Sequence, residues 1–568
     1  MEISSLHVKG FRNFNDALIN FNGSTLVIGS NDVGKSNMLY ALRMLLDKSL
    51  SESDIEPCEL DFHLSSSGAS NFIEITIAFK NISEDSVLSV LKGHVSDTGE
   101  TYLRYTAVRS DLSYKLLVGH SLEELEEVNS RFYLKYINLK YIQSQRDLRK
   151  YIHKEKRQLL KISRDSLTSP ESEEDADLIS EISADLLSLN DKVSQLIYVD
   201  KATHDVNQEL CKLAHHNSNY TVQLDSGAIQ VNDFIENLQL SASTNGSNVM
   251  LGGDGRNNQI LLALWKVKSM REHDHANEVV FFVIEEPEAH LHPHQQRKLA
   301  KYLVEELPGQ SIISSHSPQI ASCFNPSSII RLLDTGTSSI AASDGCSSCI
   351  SDSWDDMGYR ISILPAEAFF SSGVLLVEGP SEVLFYKELS MQLGIDLDYL
   401  NISILSVDGI AFNVYTNILD ALSLPWAIRT DNDISKVSSK ELWQYAGFNR
   451  CLRLAGQDTL QHCSTETSSS TTVGNGMWQS VSDAVNPIGI FVSKVDLEND
   501  LLDEHEVTIL AAIDKATSRD AVSYLQKQKA IRMRSLLKKI RGTLPDICGG
   551  ELAKPLHFIK DAIVGNES

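Results

Sequence analysis

Three stretches of the chain end apolar runs in carboxylates. Val374–Leu389 reads VLLVEGPSEVLFYKEL and carries Glu378 and Glu382. Trp426–Ile434 reads WAIRTDNDI, with Asp431 and Asp433 two apart. Ile488–Glu498 reads IGIFVSKVDLE, with Asp496 and Glu498 at the same spacing. Apolar runs of this kind are buried parallel strands. In α/β sheets the crevice beyond their C-terminal ends takes the ligand. Residues two apart in extended chain point the same way, so each aspartate pair faces one spot. Carboxylates from three strand ends repel one another unless cations stand between them. Oxygen donors without histidine or cysteine select a hard ion, Mg²⁺ or Mn²⁺, over zinc. Two such ions clamp the attacking and leaving oxygens of a phosphodiester displacement.

A second constellation lies upstream. Leu26–Ile28 is a short apolar strand that runs into GSNDVGKS, Gly29–Ser36, followed by the helical pattern NMLYALRMLL. This is G-x-x-x-x-G-K-S in its required context of strand, loop and helix. Asn31 and Gly34 lie in the loop, whose backbone N–H groups can cradle phosphate. Lys35 offers charge to the terminal phosphates and Ser36 a hydroxyl to Mg²⁺. Glu278–Glu288, EVVFFVIEEPE, is another buried strand ending in paired acids. Glu285 fits an ion-organising role and Glu286 a water-polarising one. Ser311–Ser317, SIISSHS, brings His316 to the same edge, in reach of a γ-phosphate. Leu251–Gln259, LGGDGRNNQ, offers glycines before a helix and could present N–H groups to a nucleotide held by a second copy.

These pieces imply α/β architecture in more than one domain. A chain of 568 residues exceeds a single core. Its 42% hydrophobic and 22% charged residues are those of a globular protein. No apolar run reaches the ~18 residues of a membrane span, and the N-terminus lacks a leader pattern. Eight scattered cysteines fit a reducing cytoplasm. The net charge of −25 argues against a general polyanion binder, yet one local basic surface suffices to hold DNA. Gln526–Arg541 carries seven Lys or Arg and no acid, which reads either as a solvated helix face or as such a surface. Residues 146–225 show leucines at helical spacing broken by the acidic run ESEEDAD. They are expected to form a helical insertion, a dimerisation arm or a solvated hairpin. The Ser/Gly-rich stretch 334–355 marks a domain boundary. The lone pair Cys346 and Cys349 is a weak metal signal. The Ser/Thr-rich segment 461–481 is expected to be a flexible, uncharged loop.

Taken in order, KGFRNF (Lys9–Phe14), the phosphate loop, EEPEAHLHP (Glu285–Pro293) and His316 resemble the ATP-binding-cassette ATPases of chromosome maintenance, specifically the OLD (overcoming lysogenization defect) branch. In that branch similar histidines follow the acidic strand, which speaks against zinc at His290, His292 and His294. The E-G-x-x-E and D-x-D acids resemble a Toprim domain. LLVEGPSE, RTDNDI, GFNRCLRL, VDLENDL and YLQKQK together are similar to the nuclease subunits of Gabija anti-phage defence systems. The resemblance implies an ABC-type P-loop ATPase domain (1–145 and 226–345) with the helical insertion (146–225), followed by a Toprim domain (346–568). It implies a DNA endonuclease acting on double-stranded DNA in the cytoplasm. Glu378, Asp431, Asp433, Asp496 and Lys529 would be catalytic. Glu378, Glu382, Asp431, Asp433, Asp496 and Glu498 would hold metal. ATP or another NTP would regulate cutting. A homotetramer and a superfamily-1 helicase-like partner are further implications. An ATP-hydrolysing DNA repair or recombination protein of the chromosome-maintenance type is the alternative, but it calls for a longer coiled coil. A topoisomerase or primase would need a tyrosine-bearing or zinc-bearing domain for which the chain shows no segment.

Overall fold

The first strand, β1 (Glu2–Phe11), buries Ile3, Leu6, Val8 and Phe11, with a bulge between Ile3 and Ser5 interrupting its alternation. It pairs antiparallel with β2 (Phe14–Asn20) and β4 (Phe72–Lys80). With β5 (Thr101–Val108), β6 (Ser113–Gly119) and β7 (Glu126–Val128) they form a sheet in the order β2-β1-β4-β5-β6-β7. The computed structural model describes all residues except 67, 143–147, 214–230, 232–234, 236–240, 245–246, 251–259, 261–262, 265–266, 269–270, 272–277, 290, 308, 347–365, 408, 410, 438–440 and 566–568. LGGDGRNNQ (251–259), His290 and Cys349 therefore lie outside the described residues.

A second sheet covers this one. It holds β3 (Thr25–Ile28), β8 (Ile137–Ile142), β9 (Val279–Glu285), β10 (Ser311–Ser314), β11 (Ile329–Asp334) and β12 (Ser339–Ala341), in the order β8-β9-β10-β3-β11-β12. All but its last pairing are parallel. Residues Thr25–Ile28 are all buried, as a central parallel strand requires. Helix α1 (Lys35–Leu46) follows β3 and packs its apolar stripe, Met38, Leu39, Leu42 and Leu45, into the core between the sheets.

The chain divides into two compact units. One comprises Met1–Ile142, Asn277–Glu288 and Pro293–Ser568; the other Gln143–Ala276 with Ala289–His292. The second unit contains α2 (Leu148–Asp165), α3 (Ser169–Ser194) and α4 (Ile197–Leu213). Thr168 starts α3 with a capping box closed by Glu171. Within this unit Lys268 pairs with Glu155 at 2.9 Å.

The C-terminal half of the first unit is built on a four-stranded parallel sheet. Its strands are β13 (Gly373–Val377), β14 (Ile402–Ser406), β15 (Trp426–Thr430) and β18 (Ile490–Val492), in the order β14-β13-β15-β18. Helix α5 (Pro293–Glu305) comes between β9 and β10 in the chain, and α7 (Phe412–Ala421) between β14 and β15. Helices α6 (Pro380–Gln392), α11 (Leu497–Ile513), α12 (Ser518–Gln526), α13 (Lys529–Ile540) and α14 (Lys554–Val564) bury Phe385, Leu389, Leu501, Leu525, Met533 and Ile559 against one another and the sheet. A short hairpin, β16 (Ile434–Lys436) and β17 (Trp443–Tyr445), leads into α8 (Ala446–Leu454). Arg331 on β11 donates to the carbonyls of Leu422 (3.0 Å), Ser423 (3.2 Å) and Ser371 (3.1 Å), tying the two sheets' surroundings together. Burial lowers its pKa to about 10, which still leaves it charged at neutral pH.

Much of the Ser/Thr-rich segment departs from the expected loop. It forms α9 (Ser469–Gly474) and α10 (Met477–Val485). Ser468 caps the first through the Thr471 N–H at 3.3 Å. Trp478 is buried and donates to the Val492 carbonyl at 3.1 Å, so this segment backs the sheet. Among the described residues no helix is long and apolar enough to cross a membrane.

Candidate active site

The phosphate loop leaves β3 between β10 and β11. Gly34 adopts φ +94, and a Cβ there would meet Asn13 and Phe14 side chains at 3.2 Å, so glycine is required on both counts. Asn31, Gly34, Lys35 and Ser36 are contiguous around the turn into α1. Lys35 Nζ donates to the carbonyls of Gly29 (3.0 Å) and Ser30 (2.7 Å). Burial lowers its pKa, while Glu286, Asp32, Glu285 and Glu288 pull the other way. Glu285 ends β9 and accepts from Tyr141 Oη at 2.5 Å; its other oxygen is buried without a partner. Glu286 sits at φ +42 and lies 3.5 Å from His316 Nε2. Burial, then Lys35, lowers the His316 pKa, which favours the neutral imidazole. The three strand ends thus meet at one edge. Glu288 joins them: it accepts from Ser315 Oγ at 2.8 Å and from the His316 N–H at 2.7 Å, fixing the histidine's backbone.

The second edge is built the same way. Val377 pairs with Arg429 across β13 and β15, so Glu378 and Thr430 leave the sheet side by side. Glu378 Oε1 accepts from Thr430 Oγ1 at 2.5 Å and from the Asp431 N–H at 2.8 Å. Arg450 of α8 donates to Glu378, and its other terminal nitrogen donates to Asp433 Oδ2 at 2.6 Å. Gly447 lets α8 approach this closely. A Cβ there would collide with the Asp431 carbonyl and lie 2.6 Å from the Asp433 nitrogen. On the other flank, the Asn432 N–H donates to the Val495 carbonyl at 3.0 Å. Asp496 follows at once and caps α11, accepting from the Asn499 N–H at 2.8 Å. Its second oxygen accepts from Gln526 Nε2 at 2.7 Å. The turn is held by Asp500, which pairs with Arg429 at 2.6 Å and accepts from the N–H groups of Lys494 and Val495.

Burial and neighbouring charge act together on the acids of this edge. Burial, then the charges of Glu378, Glu382 and Asp496, pushes the Asp431 carboxyl up to about 8 against the pull of Lys529. Burial also raises Glu382 and Glu498, with Lys529 opposing it in each case. Neither Glu498 oxygen has a hydrogen-bond partner, though the side chain is only 1% exposed; Lys529 Nζ lies 3.8 Å away. Burial alone would lower Lys529, but Glu498, Asp431, Glu382 and Asp496 outweigh it and raise its pKa.

Glu378, Glu382, Asp431, Asp496, Glu498 and Lys529 thus lie near enough along one sheet edge to feel one another's charge. Asp433 is placed differently. Beyond Thr430 the chain is no longer in the sheet, and Asp433 turns to Arg450 with its side chain half exposed. Among the described residues no three His, Cys, Asp or Glu side chains converge tightly enough to form a ready cation cage. The chemistry of the donors nonetheless fits a hard divalent ion. All are oxygens, Glu498 is a buried carboxylate without hydrogen bonds, and Asp431 is destabilised by its neighbours' charge. Arg450, Thr430, Gln526 and Gly447 escaped the sequence reading. Arg450 lies in GFNRCLRL, a stretch quoted above without a role for the arginine.

Two family models match the chain. The one described as overcoming lysogenization defect protein-like, TOPRIM domain, covers residues 369–433, and the AAA ATPase domain covers 1–134 and 118–321. A protein named endonuclease GajA, from Bacillus cereus (strain VD045), is 25% identical over 577 residues, spanning 95% of this chain and 96% of its own. Among solved structures, an Smc head bound to the C-terminal winged-helix domain of ScpA is 18% identical. It covers 60% of this chain and 97% of its own, at a TM-score of 0.39. The C-terminal region of the Burkholderia pseudomallei OLD protein is 24% identical over 34% of this chain and 99% of its own, at 0.23. At these scores neither structural likeness bears on function. The chain belongs to the AAA ATPase domain family, whose match fills more than half of it, and carries behind that domain an OLD-like TOPRIM domain.

Proposed function

We propose that this chain is a divalent-metal-dependent DNA endonuclease of anti-phage defence, with ATP or another NTP binding its ATPase domain as a regulator. The observation that carries the reading is that Glu378, Asp431 and Asp496 follow three neighbouring strands at the C-terminal edge of one parallel sheet, with Lys529 3.8 Å from the buried Glu498 carboxylate. The likeness to a protein named an endonuclease, over nearly the full length of both chains, supports it.

Glu382, Asp431, Asp496 and Glu498 would hold Mg²⁺ or Mn²⁺, with Glu378 and Asp433 joining when Arg450 releases them. A bound divalent ion supplies an activated water and neutralises charge on a phosphodiester. The remaining work falls to the chain. Lys529 is kept protonated by four carboxylates and presents a cation to the phosphoryl oxygens, where negative charge grows. Thr430 and the Asp431 N–H orient Glu378. Asn499 and Gln526 orient Asp496. In the ATPase half, Lys35 and the loop amides take the phosphates, and His316, positioned by Glu288, reads the terminal one. The substrate is double-stranded DNA, and the active assembly is a homotetramer in the cytoplasm with a superfamily-1 helicase-like partner.

The test is a supercoiled-plasmid assay with Mg²⁺, titrated with ATP and a non-hydrolysable analogue. Cutting that is lost in Glu378→Ala and Lys529→Ala supports the site. Equal inhibition by both nucleotides supports sensing without hydrolysis. Cutting that survives both substitutions overturns the assignment.

A further inference from the structure

Arg450 has a second face. Besides holding Glu378 and Asp433, it lines a groove of about 750 Å³ between the β16–β17 hairpin, α8 and the chain at 459–462. The other polar groups lining it are Arg453, Gln444, Asn449, Thr459, Gln461 and His462, and among the described residues no carboxylate is in its walls. In a chain of net charge −25 these walls carry two guanidinium groups, Arg450 paired with Glu378 and Asp433, and Arg453 exposed. The walls are fixed by hydrogen bonds. Trp443 and Cys463 exchange backbone bonds of 2.7 and 2.9 Å. Asn449 holds the Leu460 peptide from both sides, donating at 3.0 Å and accepting at 2.7 Å. Arg450 and Arg453 stand three residues apart on α8, hence on one helix face. Arg450 is held with its side chain 9% exposed, whereas Arg453 is open to solvent.

Guanidinium groups, an imidazole and side-chain amides are the donors that contact phosphate oxygens. Among the described residues no Phe, Tyr or Trp lines the groove, so these walls offer no stacking platform for bases. We propose that the groove seats the sugar–phosphate backbone of DNA beside the acid cluster. Arg453 and His462 hold phosphates flanking the reacting one, and Arg450 stands between the strand and the carboxylates. The inference rests on the nuclease reading above and names the surface by which that substrate enters. Recognition here is of backbone charge and is blind to sequence.

The experiment measures binding of a labelled duplex to the full-length protein in EDTA by fluorescence anisotropy across a salt series, alongside Mg²⁺-dependent plasmid cutting. Arg453→Ala is expected to weaken binding equally for unrelated sequences. It should also make the slope of log affinity against log salt shallower by about one. Arg453→Glu should weaken it further, Arg453→Lys should restore most of it, and KM for cutting should rise with kcat unchanged. His462→Ala provides a second, independent variant. Matching thermal midpoints confirm that the variants are folded. Unchanged affinity and salt slope in Arg453→Glu and His462→Ala, with the wild type still cutting, would overturn the groove alone. Arg453-dependent binding by a wild type that never cuts would overturn the nuclease reading and leave the groove in place. A wild type that neither binds nor cuts DNA overturns both.

Discussion

Lys529 Nζ lies 3.8 Å from Glu498 Oε2, and that buried carboxylate has no hydrogen-bond partner. The lysine is therefore its principal compensation, and Lys529 also pulls down the pKa of Asp431 and Glu382. Lys529→Ala should cut DNA about a hundredfold more slowly, the scale for removing one donor aimed at developing charge. It should also move the acid limb of the pH–rate profile to higher pH, because every carboxylate it faces becomes harder to ionise. A lysine with a merely structural role would leave that limb where it is.

Asp431 binds its proton more tightly in the folded chain than its unfolded value of ~3.9 allows. A group of this sign adds stability that is fully present below its unfolded pKa and is lost as pH rises through its folded value. In EDTA the protein should lose a few kcal/mol between about pH 4 and about pH 8 through this group alone. Asp431→Asn should flatten that dependence and stabilise the metal-free protein at the alkaline end. Urea midpoints across the pH range measure it, and equal slopes in both proteins would refute it.

Gly447 is where α8 presses on the backbone of Asp431–Asp433, and its N–H donates to the Asp433 carbonyl at 2.9 Å. Gly447→Ala should cost ~1–3 kcal/mol from overpacking and impair cutting, since the shift falls on the catalytic turn. Gly474 in α9 is the contrast: nothing lies within 4 Å of a Cβ there, so Gly474→Ala should be neutral or stabilising by ~0.5–1 kcal/mol. Thermal melts of the two variants decide it.

Arg429 and Asp500 form a buried pair at 2.6 Å, with side chains 3% and 5% exposed. Arg429→Met strands Asp500 as a lone buried charge and should cost ~3–5 kcal/mol by urea unfolding. The double change Arg429→Met with Asp500→Leu should recover much of that stability. It should still cut poorly, because Asp500 fixes the Lys494–Val495 turn that presents Asp496.

Lys35→Ala should reduce affinity for a fluorescent ATP analogue by ten- to a hundredfold, on the order of 1.4–3 kcal/mol for a lost charged contact. If nucleotide restrains the nuclease, the same variant should cut plasmid at ATP concentrations that silence the wild type. Unaltered inhibition would place the regulatory nucleotide elsewhere.

Much of both strand edges was legible in the residues. The phosphate loop, Glu285, Glu286 and His316 follow a strand–loop–helix grammar that the parallel sheet obeys, and Glu378, Asp431 and Asp496 sit at its C-terminal ends for the same reason. Asp433 lies across the Arg450 guanidinium from Glu378, a placement that spacing alone did not give. The period-two rule holds only inside a strand, and β15 ends at Thr430. Composition misled at 461–481. A Ser/Thr run looks like a loop until one serine caps a helix and Trp478 buries beneath it. Arg450 was invisible as a site residue because nothing local reveals that its guanidinium bridges acids on two strands.

Arg331 sits one strand from the phosphate loop, paired with Ile28 immediately before Gly29. Its guanidinium grips the chain at Leu422 and Ser423, just ahead of the strand that ends at Thr430 and Asp431. The footing of the acidic edge is thereby bolted to the footing of the nucleotide cradle. Ser343 adds a second tie, its Oγ donating to the Ala421 carbonyl at 2.8 Å, so the chain ahead of the acidic edge is moored at two points to the half that carries the phosphate loop.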